Sequence, residues 1–284
     1  MRKLGPYPLL DVSLDDDHVA TVELRNGDYN HFNMDMLTGL ADAFEALDEE
    51  PECRSIVLAA GGRAFCAGAD FQGGSQGAQP AGLRSSRGDG VDDHLYAQAV
   101  RLFGNQKPIV GAIHGAAVGG GLGLALVPDF RVGCPESRFS ANFTLLGIHP
   151  GFGLSYTLPR LIGVQAACDM FYTGRRVKGD EALALGLLDR LVGREQVREA
   201  ARQKALEIAA AAPLASIISR PLSYFAAHLG ADGARRRRED RGREGAAQLP
   251  AEDGVLDLAL LRLAPRRRPV LGAAAQAAAR RARA

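Results

Sequence analysis

Three groups of residues in this chain of 284 could do chemistry. The first is backbone: the triplet Gly119-Gly120-Gly121, inside an uncharged stretch that runs from Ile109 to Val127 between Pro108 and Pro128. Read as a buried strand, a tight turn and the first turns of a buried helix, it presents N–H groups that no helix carbonyl accepts. An anion, or an oxygen that becomes one during a reaction, could press against them. A plainer reading competes, in which the glycines only let a helix pack closely on a strand. The second group is another glycine-bounded bend, Gly61-Gly62-Arg63 followed by Ala64-Phe65-Cys66-Ala67-Gly68-Ala69-Asp70. The third is titratable. His149 lies in the turn Gly147–Gly153, and His94 and Tyr96 lie on a helix over 92–103. An imidazole with an ordinary pKa near ~6.5 suits acid–base work at neutral pH, provided it reaches the proton it moves. His114, where the central strand meets its turn, reads as a hydrogen-bonding partner of other groups.

Other chemistries are excluded by spacing or context. The central glycines do not follow the Gly-x-Gly-x-x-Gly register of dinucleotide binding. The uncharged stretch approaches the length of a membrane span, but its six glycines, its histidine and its flanking prolines argue against one. Gly73-Gly74-Ser75-Gln76-Gly77 is formally Gly-x-Ser-x-Gly, yet it lacks the strand and helix a nucleophile elbow needs. The four cysteines are widely spaced, without a Cys-x-x-Cys pair, and read as reduced thiols rather than a disulfide frame or metal site.

The elements that must position these groups follow from periodicity. Alternation predicts a strand over 17–25, helical spacing predicts a helix over 35–47 with Asn33 or Asp35 as cap, and Ser55–Ala60 reads as a short buried strand. That strand–helix–strand order argues a right-handed parallel unit. Residues 71–90, rich in Gly, Gln, Ser and Pro, read as a surface loop. Beyond the central stretch we expect strands at 130–132, 140–146 and 187–192. Helices are expected at 154–162, 165–172, 179–185 and 195–212, the last stopped by Pro213. From there arginine runs (Arg235–Arg238, Arg266–Arg268) and an Ala/Arg tail take over. They read as solvated helix faces rather than a nucleic-acid site. Apolar content of 46%, charged content of 24% and a net charge of +1 describe a globular chain without bias toward nucleic acid or membrane. The N-terminus has no apolar signal region, so a cytoplasmic location is expected.

Two segments together, GGRAFCAGADF at Gly61–Phe71 and KPIVGAIHGAAVGGGLGLALVPD at Lys107–Asp129, resemble the crotonase superfamily, the enoyl-CoA hydratase/isomerase family. Gly174-Arg175-Arg176, Glu181-Ala182 and Gly186-Leu187-Leu188-Asp189 extend the likeness, which runs from about Val19 to Ala210. The resemblance implies an α/β fold, a crotonase-like spiral of ββα units over 1–205. A C-terminal helical, oligomerising region with an Arg/Ala-rich tail would occupy 206–284. It implies homotrimers or hexamers, an acyl-CoA substrate of the kind used in fatty acid metabolism, and no cofactor beyond the coenzyme A of that substrate, nor a metal. By position the amides of Ala69 and Gly120 would form an oxyanion hole for a thioester enolate, with a helix dipole behind Gly120. Ala67, Asp70, Phe71, Gly119 and Phe143 would line the substrate, with main chain around Ala67 and Phe71 at the adenine end and Asp70 as a turn or cap residue.

The chain also departs from that pattern. The two glutamates that hydratases of this family use to activate water fall on Gly123 and Phe143, and a further acidic position falls on Gly151. None of these can exchange a proton. Isomerisation, decarboxylation or retro-Claisen cleavage is therefore favoured over hydration, with His149 first and Tyr96 or His94 next as the proton carrier. A lyase or isomerase is expected. The alternative is a non-catalytic coenzyme A thioester binder or trimeric scaffold.

Overall fold

A seven-stranded sheet organises the computed structural model, which describes residues 1–69 and 95–218. The chain enters through β1 (Arg2–Leu4) and β2 (Leu10–Leu14), which pair antiparallel with each other and with β3 (Val19–Leu24). Helix α1 (Met34–Glu49) then crosses to β4 (Ser55–Ala60), parallel to β3 in the register Val19↔Ser55, as the strand–helix–strand order requires. Asn33 is the cap, its side chain accepting from Met36 N at 3.0 Å. The apolar stripe Met36, Leu37, Leu40, Phe44 and Leu47 is buried against the sheet. The buried ammonium of Lys107 closes the far end by donating to the carbonyls of Leu47 and Glu50, where a cation complements the helix terminus.

Helix α2 (Leu95–Phe103) leads into β5 (Ile109–Ile113), which lies beside β4. β4 and β5 are buried at every residue because helices cover both faces, so they read as continuous apolar runs rather than alternating ones. The central stretch then departs from the expected strand, turn and helix. It bends at His114-Gly115, forms a second strand β6 (Ala116–Val118), and only then starts α3 (Gly120–Ala125), six residues long. Among the described residues no helix is long and apolar enough to cross a membrane.

Strand β7 (Phe130–Gly133) extends the sheet beside β5. β8 (Arg138–Ser140) instead joins β6 in a second, three-stranded sheet. The strand expected over 140–146 is thus a strand end followed by a 3-10 turn at Thr144–Leu146. Helices α4 (Leu154–Ile162) and α5 (Val164–Thr173) pack together, and β9 (Val177–Lys178) completes the small sheet on β8. After α6 (Gly179–Ala184), the last strand of the large sheet is only β10 (Arg190–Leu191).

Helix α7 (Val197–Ala209) covers the opposite face of the large sheet through Val197, Ala200, Ala201, Ala205 and Ala209. Alanine at helical spacing lets the backbones approach, and Ser55 Oγ donates to Ala205 O at 2.8 Å. The division expected at residue 205 therefore falls inside a helix that remains packed on the sheet through Ala209. Pro213 does not only stop a helix: it opens α8 (Pro213–Ile218), at the first helical position where its missing N–H costs nothing. The Arg/Ala-rich tail lies outside the described residues.

Candidate functional site

Two bends meet where the sheets adjoin. The first, residues 61–69, follows β4 and is clamped on both sides. On one side the buried Asn30 donates from Nδ2 to Gly61 O (2.7 Å) and Ala64 O (3.0 Å) and accepts from Asn26 N at 2.9 Å. It does so from a left-handed backbone, φ 47°, which asparagine tolerates better than most residues. Ala67 N donates to Tyr29 O at 2.9 Å, and Phe32 N to Gly68 O at 3.0 Å. On the other side Cys66 pairs with β6, its N–H on Ala116 O and its carbonyl accepting from Val118 N, both at 3.0 Å.

The second bend is the glycine triplet. Gly119 has φ 56° and ψ −124°, and its N–H donates to Ser140 O at 2.8 Å. A Cβ on Gly121 would lie 2.0 Å from Cys66 O, so only glycine lets the two bends touch. A Cβ on Gly68 would lie 2.9 Å from Val118 O and 4.0 Å from Gly120 N. The peptide joining Gly68 to Ala69 is therefore the neighbour of the Gly120 amide. Its carbonyl faces Phe32, and in a trans peptide the N–H points the opposite way, so the Ala69 N–H faces the side of β6 and Gly120. Among the described residues no group accepts the N–H of Ala69 or of Gly120. At the head of a helix only six residues long, Gly120 draws little from a helix dipole.

Aromatic rings close the far wall. A Cβ on Gly120 would lie 2.4 Å from the Phe32 ring, and one on Gly123 would lie 2.6 Å from Phe152 Cβ and 2.7 Å from its ring. Phe32 and Phe152 stack tilted at 5.7 Å between centroids, and Phe103 meets Phe152 edge-on at 6.3 Å. Sequence reasoning missed Phe32, Phe103 and Phe152, as it missed Asn142, whose Oδ1 would stand 3.2 Å from a Cβ on Gly119. The one available signal was an aromatic residue set between two glycines, Gly151-Phe152-Gly153.

The expected residues divide accordingly. Gly119 and the buried Phe143 are at the second bend, the Phe143 ring tip 4.0 Å from a Cβ on Gly119. Ala67 is in the first bend, with its N–H committed to Tyr29 O. His149 is exposed, with Nδ1 at 3.1 Å from Pro150 O, and it is Phe152 rather than His149 that this turn sends against Gly123. Asp70, Phe71, Ser75, His94 and the Tyr96 side chain lie outside the described residues. His114 Nε2 is 3.1 Å from Gly62 O, which fits a partner holding the first bend. Burial pushes its pKa down, the Gly62 carbonyl opposes this, and the guanidiniums of Arg194 and Arg198 add to the fall. Burial pushes the Cys66 thiol up to about 12, which leaves it protonated and unreactive at neutral pH.

Taken together, a largely parallel mixed sheet, a smaller sheet beside it and two facing bends define an α/β protein of the crotonase fold. The chain belongs to the enoyl-CoA hydratase/isomerase family, whose profile matches residues 15–223. It is 30% identical over 209 residues to a carnitinyl-CoA dehydratase of Salmonella enteritidis, covering 73% of this chain and 74% of that one. It is 34% identical over 197 residues to the glyoxysomal fatty acid beta-oxidation multifunctional protein MFP-a of Cucumis sativus, covering 68% of this chain and 26% of that protein. The chain thus spans about a quarter of the length of the multifunctional relatives it matches. Among solved structures, an enoyl-CoA hydratase subunit of Geobacillus kaustophilus superposes with a TM-score of 0.69 at 29% identity, over 86% of this chain and 92% of that one.

Proposed function

We propose that the chain is an acyl-CoA enzyme that stabilises a thioester enolate on the amides of Ala69 and Gly120. The observation that carries this is the placement of the Gly68–Ala69 peptide beside Gly120, with both N–H groups unclaimed among the described residues. Removing an α-proton, losing carbon dioxide or cleaving a carbon–carbon bond next to a thioester each puts negative charge on the carbonyl oxygen. Two fixed donors in a dry site stabilise that charge, and one of them is typically worth about 3–4 kcal/mol.

Hydration through a glutamate pair is not part of the proposal. The positions where the family resemblance places those carboxylates hold Gly123 and Phe143, with Gly151 at the additional one. Isomerisation, decarboxylation or retro-Claisen cleavage remains, in a homotrimer or hexamer. The exposed Leu145, Leu146 and Tyr172 supply apolar surface for such an assembly to cover.

The test is solvent deuterium exchange at the α-carbon of a panel of acyl-CoAs. Wild type exchanges at least one of them, and Gly120→Pro loses about a hundredfold or more relative to Gly120→Ala. Both substitutions press on Phe32, but only proline removes the donor, so the ratio isolates it. Equal rates in the two folded variants would sink the assignment. The second reading, a non-catalytic thioester binder, is favoured by the aromatic filling over Gly123. It predicts calorimetric binding with no exchange on any substrate.

A further inference from the structure

Phe152 occupies a position that its backbone does not favour. Its φ of 57° is in the left-handed region, where an aromatic residue is an outlier, yet the residue is buried, only 2% exposed. The ring rests on bare Gly123, with Phe32 at 5.7 Å and Phe103 at 6.3 Å between centroids, contacts that hold it in place.

Gly123 is three residues beyond Gly120, on the same face of α3. A side chain at 123 would lean back toward the N-terminal end of the helix, because the Cα–Cβ bond tilts that way. Phe152 fills that space instead. A carbonyl held by the Gly120 amide would therefore send its acyl carbons toward a fixed ring.

We propose that Phe152 is the specificity-determining residue of this site, setting the bulk tolerated beside the thioester carbonyl. It admits slender acyl groups and rejects broad ones. The inference rests on the thioester reading above. The strain at 152 and the bare Cα at 123 are two halves of one arrangement, since a side chain at 123 would collide with Phe152, while one at 120 would collide with the neighbouring Phe32 ring.

The test is calorimetry on the full chain with butyryl-CoA and benzoyl-CoA as probes. Wild type binds butyryl-CoA at least tenfold more tightly. Phe152→Gly, which removes the ring and accepts a positive φ without steric cost, narrows the gap to threefold or less by improving benzoyl-CoA. Phe152→Leu keeps most of the filling and moves the ratio by about threefold. It decides the matter if the glycine variant does not fold. A wild type that takes both probes equally, or a folded variant whose ratio does not move, overturns the role of Phe152. A wild type that binds neither probe overturns instead the thioester reading beneath it.

Discussion

The two bends that bring Ala69 and Gly120 together are held by different physics. The first is fastened by hydrogen bonds: Asn30 to Gly61, Ala64 and Asn26, Tyr29 to Ala67, and Phe32 to Gly68. The second is tied outward by the Gly119 N–H to Ser140 O, its other backbone bonds being those of Leu122 and Gly123 to Gly119 O as the helix starts, and it is further shaped by contact, with rings against Gly120 and Gly123 and the Cys66 carbonyl against Gly121. A bend tied by directional bonds fixes where an N–H points. A bend wedged by rings fixes what can come near it. The proposed site would need both, and the two share Phe32, whose N–H donates to Gly68 O while its ring faces Gly120.

The largest effect is expected where the bends touch. Gly121→Ala places a methyl 2.0 Å from Cys66 O, which is backbone and cannot yield cheaply. We expect a loss of about 3 kcal/mol or more in urea unfolding, at the upper end of overpacking costs. A variant as stable as wild type would mean the contact is looser than described. Next comes Asn30→Ala, which strands two carbonyls and an N–H in a buried turn and puts alanine at φ 47°. A loss of about 2–3 kcal/mol is expected, from the cost of unpaired buried groups. Asn30→Gly, which removes the same bonds but suits the backbone, should recover only a few tenths of that. Full recovery would show that conformation, and not hydrogen bonding, ties the first bend.

The smallest effect is a pH dependence of the first bend. His114 has its folded pKa pushed below the ordinary value, chiefly by burial. Below about pH 6.5 the unfolded chain takes up the proton first, so the stability His114 contributes is present above that pH and falls as the solution is acidified. His114→Gln should flatten this part of the pH–stability profile. An unchanged acid limb would assign it to other groups.

Much of the positioning frame was legible because its periods are long enough to show. Ser55–Ala60, Leu154–Ile162 and the Asn33 cap of α1 follow from local sequence alone. β1, β2 and β6 do not. β1 and β6 have only three residues each, too few to show a period, and β6 exists because Cys66, some fifty positions earlier, offers it a partner. The glycine triplet pointed to the site, but not to what presses on it. In the following turn His149 stands out in the sequence because it titrates, whereas the fold turns Phe152 inward and leaves the imidazole exposed. Binary reasoning about reactive side chains passes over an aromatic residue between two glycines, since its role arises only when a distant helix presents bare Cα atoms to it.

The most direct test of the account is a crystal structure with an unhydrolysable acyl-CoA analogue that retains the thioester carbonyl. The account predicts one carbonyl oxygen within about 2.7–3.1 Å of both the Ala69 and Gly120 nitrogens, the acyl carbons ending against Phe152. An oxygen bonded to neither nitrogen, or an acyl group lying away from that ring, would contradict it.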